Sequence, residues 1–337
     1  MKKVLIIFVA LLMGYSVTLM SQTKMSYERY KGAYREMSAM LDGKKPLSVI
    51  RATYVAENAY LDGRLDYDRD FRIPISRGAE YMRRMIVANK WEKYKTAKQI
   101  ALCNFFFYPC SGNGNKAFEY DYEELEDEWQ HQLISKTLKT HYGQCRSLPW
   151  LFMLYAEELK ADVYFACAPR HDFVMYRNLD NIFPEKWVCV ETTVHGYMPL
   201  WGYKKDYEIS DSAISVGTYL TPLTSKQMIA KQLSDLAFSY NVKFHKYDEF
   251  TLLCANKSLR YYKHNPNALI IKGKSLRALA QAYMDSNGGI QDAYTDSLYV
   301  AFRQNEKDLQ ATHYVEPTPE QEKKWSRGLR MGQEKAR

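Results

Sequence analysis

Residues 143–176 read GQCRSLPWLFMLYAEELKADVYFACAPRHDFVMY, and residues 187–193 read WVCVETT. In the first part Leu148, Leu151, Phe152, Tyr155 and Leu159 recur at helical intervals, which predicts a helix through Trp150–Lys160. Pro149 is wrong for a helix interior. It is tolerable near the start if Cys145 is the N-cap, because the first four N–H groups have no intrahelical acceptor. Val163–Ala168, Asp172–Tyr176 and Trp187–Thr192 then read as three short strands. A helix followed by consecutive strands gives an α+β unit, the helix bearing Cys145 packed on a small antiparallel sheet.

The lengths of these elements relate three side chains. A helix from Cys145 to Leu159 rises about 21 Å. Val163–Ala168 as a strand returns about 20 Å. The chain is therefore back beside Cys145 at Pro169-Arg170-His171. His171 opens the next strand, the loop 177–186 turns the chain, and Trp187–Glu191 brings it home. His171 and Glu191 are each ten residues from Asn181. A regular hairpin centred there sets them opposite each other, so Cys145, His171 and Glu191 can meet at one end of the unit.

That trio matches the needs of a thiol nucleophile. A free thiol has a pKa near 8.5, and a helix N-terminus or an imidazolium lowers it. His171 takes the thiol proton and returns one to the leaving amine. Glu191 orients the imidazole and stabilises its charged form. N–H groups at the start of the Cys145 helix, with the Gln144 side chain, can hold an oxyanion, and Tyr142 is a weaker candidate donor. Each residue also has a plain reading. An isolated Cys is usually a small buried hydrophobe, a His after a turn is usually a satisfied turn residue, and a Glu at a strand end is usually solvated. The reach argument favours the three together. Cys167 and Cys189 lie in strand patterns and read as core, and His195 reads as a loop residue. Cys103 and Cys110 are a candidate disulfide in an oxidising compartment. No CxxC, HExxH, GxGxxG or GxxxxGK[ST] occurs, so nothing points to a zinc site, a nucleotide or another cofactor.

Three segments carry a resemblance: Gly-Gln-Cys-x-Ser-Leu-Pro, Ala-Pro-x-His and Trp-x-x-x-Glu-x-Thr, in that order. Over about Tyr120–Thr193 the chain resembles the transglutaminase-like superfamily, and more closely its second core subgroup, whose members often carry tetratricopeptide-like helices after the core. VIRATYVAENAY in the N-terminal region extends the likeness. The resemblance implies a papain-like α+β core with Cys145 as nucleophile, His171 as base and Glu191 as the acid. Transglutaminases proper carry Asp at the third place. The Cys-to-His interval of 26 residues is short beside the larger cross-linking enzymes.

The flanking sequence is helical. The patterns predict helices over Tyr27–Leu41, Leu47–Tyr60, Ser76–Lys95 and Ala97–Phe107, with a loop at residues 109–115. Leu125, Trp129 and Leu133, four apart, predict one buried stripe along Tyr122–Thr140. After the core, Ser225–Tyr240, Asp248–His264 and Asn267–Asp285 read as helices. They resemble a degenerate tetratricopeptide unit, short of the three repeats a free-standing solenoid needs. They serve either as a packed structural extension or as a groove for a peptide or protein partner. From Pro317 on, the chain is polar and basic and reads as a frayed tail.

At the N-terminus Lys2-Lys3 precede the apolar run Val4–Met13, with small and polar residues to Ser21-Gln22. The run is too short to span a bilayer as a helix and has the layout of a secretory signal peptide. This divides the chain into a signal peptide at 1–21, a helical region at 22–119, the core at 120–222, repeat-like helices at 223–310 and a tail at 311–337. Over its 337 residues the chain is 46% hydrophobic and 26% charged, with six Cys, which excludes a disordered or disulfide-stapled chain. The net charge of +8 is spread among acidic residues and reads as a mixed solvated surface; a nucleic-acid partner is not favoured. The expectation is an exported α+β cysteine enzyme acting on amides of a protein or cell-wall peptide, with no stable membrane span after signal removal. The competing expectation is an inactive core that recruits a partner through its helical tail.

Overall fold

The computed structural model describes residues 23–122 and 128–325. The signal-peptide reading, Leu125 and the last twelve residues lie outside them. The described chain is α+β and mostly helical. Helices α1 (23–41), α2 (Val49–Tyr60), α3 (Ile73–Ala88) and α4 (Ala97–Phe107) precede β1 (Glu119–Tyr120), α5 (Ile134–Thr140) and β2 (Tyr142–Gly143). Then come α6 (Ser147–Leu159), β3 (Tyr164–Ala168), β4 (His171–Arg177), β5 (Trp187–Glu191) and β6 (Gly196–Tyr197). After them run α7 (Leu200–Asp206), α8 (Asp211–Ser215), α9 (Ser225–Phe244), α10 (Glu249–Tyr261), α11 (Pro266–Ser286), α12 (Ala293–Ala311) and a last helical stretch, α13 (319–325).

Helix α6 is the centre of the molecule. All its residues are buried except Glu157 and Glu158, so the five-residue apolar face read from the sequence is part of a helix covered on every side. Gly78 lets α3 approach it: a Cβ there would lie 2.5 Å from Tyr155 Cε1. Two carboxylates pin neighbouring helix starts, where N–H groups lack intrahelical acceptors. Glu157 accepts from the Val49 N–H at 2.6 Å, and Glu57 accepts from the Ile134 and Ser135 N–H groups at 2.6 and 2.9 Å.

The main sheet is antiparallel in the order β3-β4-β5-β6, while β1 and β2 form a separate parallel pair. Side chains alternate across a strand. Phe165, Val174, Tyr176, Val188 and Val190 therefore join the large core shared with α6, and Ala166, Ala168, Phe173, Met175 and Cys189 form a second core with Tyr203 and Ala213 of α7 and α8. Both faces are covered. Asn178 ties the 178–186 loop, donating to the Phe183 and Glu185 carbonyls at 2.5 and 2.9 Å.

Helices α9 and α10 belong to the large core. Met228, Ile229, Leu233, Leu236 and Tyr240 of α9 are fully buried, in one cluster with Met37 of α1, Trp150 of α6 and Phe250 of α10. Only α11 and α12 build a small satellite cluster, around Leu276, Ala280 and Leu298.

Several local expectations change. The Ser76–Lys95 helix ends at Ala88, where Asn89 and a left-handed Lys90 (φ 57°) close it before a short 3-10 turn at Trp91–Lys93. Among the described residues of Tyr122–Thr140, Trp129–Gln132 is a 3-10 turn, Leu133 is extended and Ile134–Thr140 is α-helical, so Trp129 and Leu133 do not share one helix. The tail is not wholly frayed, since α13 docks back on the core. Trp325 donates its indole N–H to the Asp206 carbonyl at 3.1 Å, and Glu208 pairs with Gln321 and Lys324. No helix among the described residues is long and apolar enough to cross a membrane.

Candidate active site at the start of α6

The Cys145 segment is built by close packing. Gly143 sits where a Cβ would lie 2.6 Å from Thr137 Oγ1 and 2.7 Å from Ser147 Oγ, so no larger residue fits. The Gln144 N–H donates to Ser147 Oγ at 2.9 Å, and the Leu148 N–H donates to the Gln144 carbonyl at 3.0 Å. The expected N-cap is thus corrected by one residue: Arg146 occupies that position and Cys145 precedes it, in a turn whose bonding already runs into the helix. Pro149 is the third helical residue, where its missing N–H costs nothing.

The three candidates meet. His171 Nε2 lies 2.6 Å from Glu191 Oε2, which leaves Nδ1 for the thiol, and Cys145 is near enough to this ring to help hold its pKa up. Cys145 Sγ also lies 3.7 Å from the Arg170 carbonyl. Ala168 pairs with His171 across a two-residue turn in which Arg170 takes φ 54°. A left-handed backbone is costly for a residue with a Cβ such as this, and such strain persists where the surroundings over-determine it.

The hairpin geometry differs from the expectation in one respect. The register pairs Met175 with Cys189 and Val174 with Val190. Continued outward, it sets Phe173, not His171, opposite Glu191. His171 is the diagonal neighbour on the same face, a longer span than a direct pair. Glu has one more methylene than Asp, and here the carboxylate reaches across that diagonal to make the contact.

Glu191 is fully engaged. Oε1 accepts from the Thr193 N–H at 3.1 Å and its hydroxyl at 2.7 Å, while Oε2 accepts from the Tyr203 hydroxyl at 2.9 Å as well as facing the imidazole. Burial alone would raise the Glu191 carboxyl, but the imidazole and Thr193 outweigh it and hold it below the usual range. Burial would lower His171, yet the Glu191 charge and the Cys145 contact outweigh it and raise the imidazole well above its ordinary value. Both directions describe an imidazolium–carboxylate pair.

Sequence reasoning missed the aromatic wall. Tyr207 stacks on the His171 ring at 5.4 Å and 18°, and Tyr203 stacks on Phe173 at 4.0 Å. Burial, then the Glu191 charge, pushes both phenols up, so they stay protonated donors. Their signal was an i, i+4 pair of tyrosines in the WGYKKDY segment. Thr193 was quoted in the Trp-x-x-x-Glu-x-Thr segment but given no part. Trp325 of α13 packs at a tilt against Tyr207, with ring centroids 5.0 Å apart, and Glu322 pairs with Arg170 at 3.2 Å, so the tail helix borders the site.

Of the two oxyanion candidates, Gln144 is buried beside the thiol segment, its main-chain N–H donating to Ser147. Tyr142 is 38% exposed and carries the Lys116 ammonium 4.0 Å above its ring. His195 is a loop residue, stacked on Phe107 and bonded to the Phe118 carbonyl. All six cysteines are unpaired. Cys103 is buried in α4, and burial pushes its thiol up to about 12. Among the described residues no group of three or more His, Cys, Asp or Glu side chains is placed to hold a metal ion.

No family model, curated protein or solved structure matches the chain.

Proposed function

We propose that the protein is an exported cysteine enzyme of transglutaminase-like type, with a papain-like core, that cleaves or transfers amide acyl groups through a thioester at Cys145. The single observation that carries this reading is the 2.6 Å His171–Glu191 contact beside Cys145, whose sulfur lies 3.7 Å from the Arg170 carbonyl.

The chemistry runs as a two-step exchange. His171 Nδ1 takes the thiol proton, and the sulfur adds to the amide carbon, moving an electron pair onto the carbonyl oxygen. The Gln144 amide and the N–H groups before α6 receive that oxyanion. Collapse breaks the C–N bond, and the imidazolium gives its proton to the leaving amine. Water or a second amine then attacks the thioester, His171 takes its proton, and the thiol is restored. Glu191 holds the ring orientation and stabilises the imidazolium between steps. The substrate class fits a protein or cell-wall peptide.

The test is alkylation of Cys145 by iodoacetamide in the full chain at pH 6, against a free cysteine derivative. The expected result is a rate well above the free thiol that falls to its level in His171→Ala. An ordinary rate in the wild type would sink the enzyme reading and favour an inactive core that recruits a partner through its helices. A substrate panel with Cys145→Ala then separates hydrolysis from amine transfer, and full turnover by that variant would end the proposal.

A further inference from the structure

A second cluster of charges lies beneath the site. Arg146, the residue after Cys145, donates to Asp235 Oδ2 at 2.9 Å and to the Gln132 carbonyl at 2.9 Å. Its guanidinium sits between the Trp129 and Trp150 rings, at 4.6 and 5.5 Å. Asp172, the residue after His171, faces Lys231 at 3.9 Å, and Lys231 faces Asp235 at 3.8 Å. Lys231 and Asp235 are one turn apart on α9. The side chains of all four are at most 13% exposed, and two cations balance two carboxylates.

The placement follows from the backbone. Successive side chains on β4 point to opposite faces, so His171 turns to the rim while Asp172 turns toward α9. Arg146 does the same for the Cys145 turn. Burial would raise the Asp235 carboxyl, but Lys231 and Arg146 outweigh it and hold it low; burial would lower Lys231, but Asp235 and Asp172 outweigh it and keep it charged. A buried ion-pair network is a poor way to gain stability, because desolvation offsets most of the attraction, whereas it specifies geometry well. These four could be apolar if the core needed only volume. Instead Cys145 and His171 each have a charged neighbour in sequence, Arg146 and Asp172, and both neighbours are held by one helix.

We infer that Asp235 and Lys231 of α9, acting through Arg146 and Asp172, are positioning residues that fix the Cys145 turn and the start of β4 relative to each other. The helix that the sequence assigns to the tail thus completes the site. This rests on the proposed thiol chemistry, since it is the thiol–imidazole distance that the network sets.

The test is Asp235→Asn in the full chain, which keeps shape and removes one charge. The readouts are the circular dichroism spectrum, the melting temperature and the pH dependence of Cys145 alkylation. The expected result is a folded protein whose alkylation near neutral pH slows by about three- to thirtyfold, toward the rate of a free thiol of pKa near 8.5. Its pH profile moves toward that of His171→Ala, and Asp235→Glu recovers part of the rate. A folded variant with the wild-type rate and profile overturns the inference while leaving the thiol chemistry standing. If Asp235→Asn does not fold, Asp172→Asn gives the same reading from the β4 side, and an unchanged profile there overturns it equally. An ordinary thiol rate in the wild type fails at the earlier step and overturns both.

Discussion

The rim and the floor of the site draw on the same two pieces of chain and put them to opposite uses. At the rim, Cys145 lies beside the His171–Glu191 pair, with the Tyr203 hydroxyl on Glu191 and the Tyr207 ring stacked on His171. At the floor, Arg146, Asp172, Lys231 and Asp235 are charges that never need to change. The rim keeps a half-buried sulfur reachable, while the floor is sealed against α9. On the proposed thiol chemistry, a rim that moves protons rests on fixed charges at the level below, and strand alternation lets His171 and Asp172 face one level each.

The comparison can be broken most sharply at the floor. Asp235→Ala leaves Arg146 and Lys231 without their shared carboxylate in the interior. Removing one partner of a buried pair costs about 3–5 kcal/mol, so denaturant unfolding of this variant should show a loss of that order. A loss below about 1 kcal/mol, the size typical of surface substitutions or less, would mean that the floor is wetter than its burial implies. The rim responds in reactivity instead. His171→Ala should cut Cys145 alkylation at neutral pH by about tenfold or more, toward the rate of a free thiol of pKa near 8.5. An unchanged rate would take the imidazole out of the rim's chemistry.

The pH response sharpens the contrast further. His171 is raised above its ordinary 6.5, so its contribution is full below about pH 6.5 and is lost as pH rises through its folded value. Glu191 is held below its ordinary 4.5, so its contribution is present above about pH 4.5 and is lost as pH falls through its folded value. The stability difference between wild type and a His171→Ala/Glu191→Gln double variant should therefore be largest between about pH 4.5 and 6.5. It should shrink on the alkaline side first as pH is raised from neutrality. A difference that is flat from pH 5 to pH 10 would remove the imidazolium–carboxylate pair from the rim. The smallest effect is expected at the border with α13. Arg170 and Glu322 pair at 3.2 Å with about half of each side chain in solvent, a setting in which ion pairs contribute little. Glu322→Gln should leave the melting temperature unchanged, whereas Trp325→Ala, which uncovers Tyr207, should modestly raise Cys145 alkylation; a slower reaction would show that the indole supports the site.

Much of the site was legible because local lengths are stiff. The rises of helix and strand bring Pro169-Arg170-His171 back to Cys145 whatever the surroundings, and Ala97–Phe107 is a helix with the bounds its sequence predicts. Errors fell where a local pattern had competitors. The 122–140 stripe had the right spacing at Trp129 and Leu133, but Glu57, from a distant helix, captures the N–H groups of Ile134 and Ser135 and starts the helix there. The hairpin about Asn181 was off because loop bonding by Asn178 sets the register. The tail residue Trp325 gave no sequence signal, because its partners, Tyr207 and Asp206, are over a hundred residues away.

The sequence by itself determined the α+β character, the three side chains that can converge and the helical flanks, since these follow from periodicity, chain rise and residue chemistry acting over short spans. Only the tertiary structure decided that α9 lies in the core and brings Lys231 and Asp235 under the site, that Tyr203 and Tyr207 wall the imidazole, and that α13 returns to its edge. Those contacts join segments from 12 to more than 150 residues apart, and no local pattern encodes which distant charge or ring will meet which.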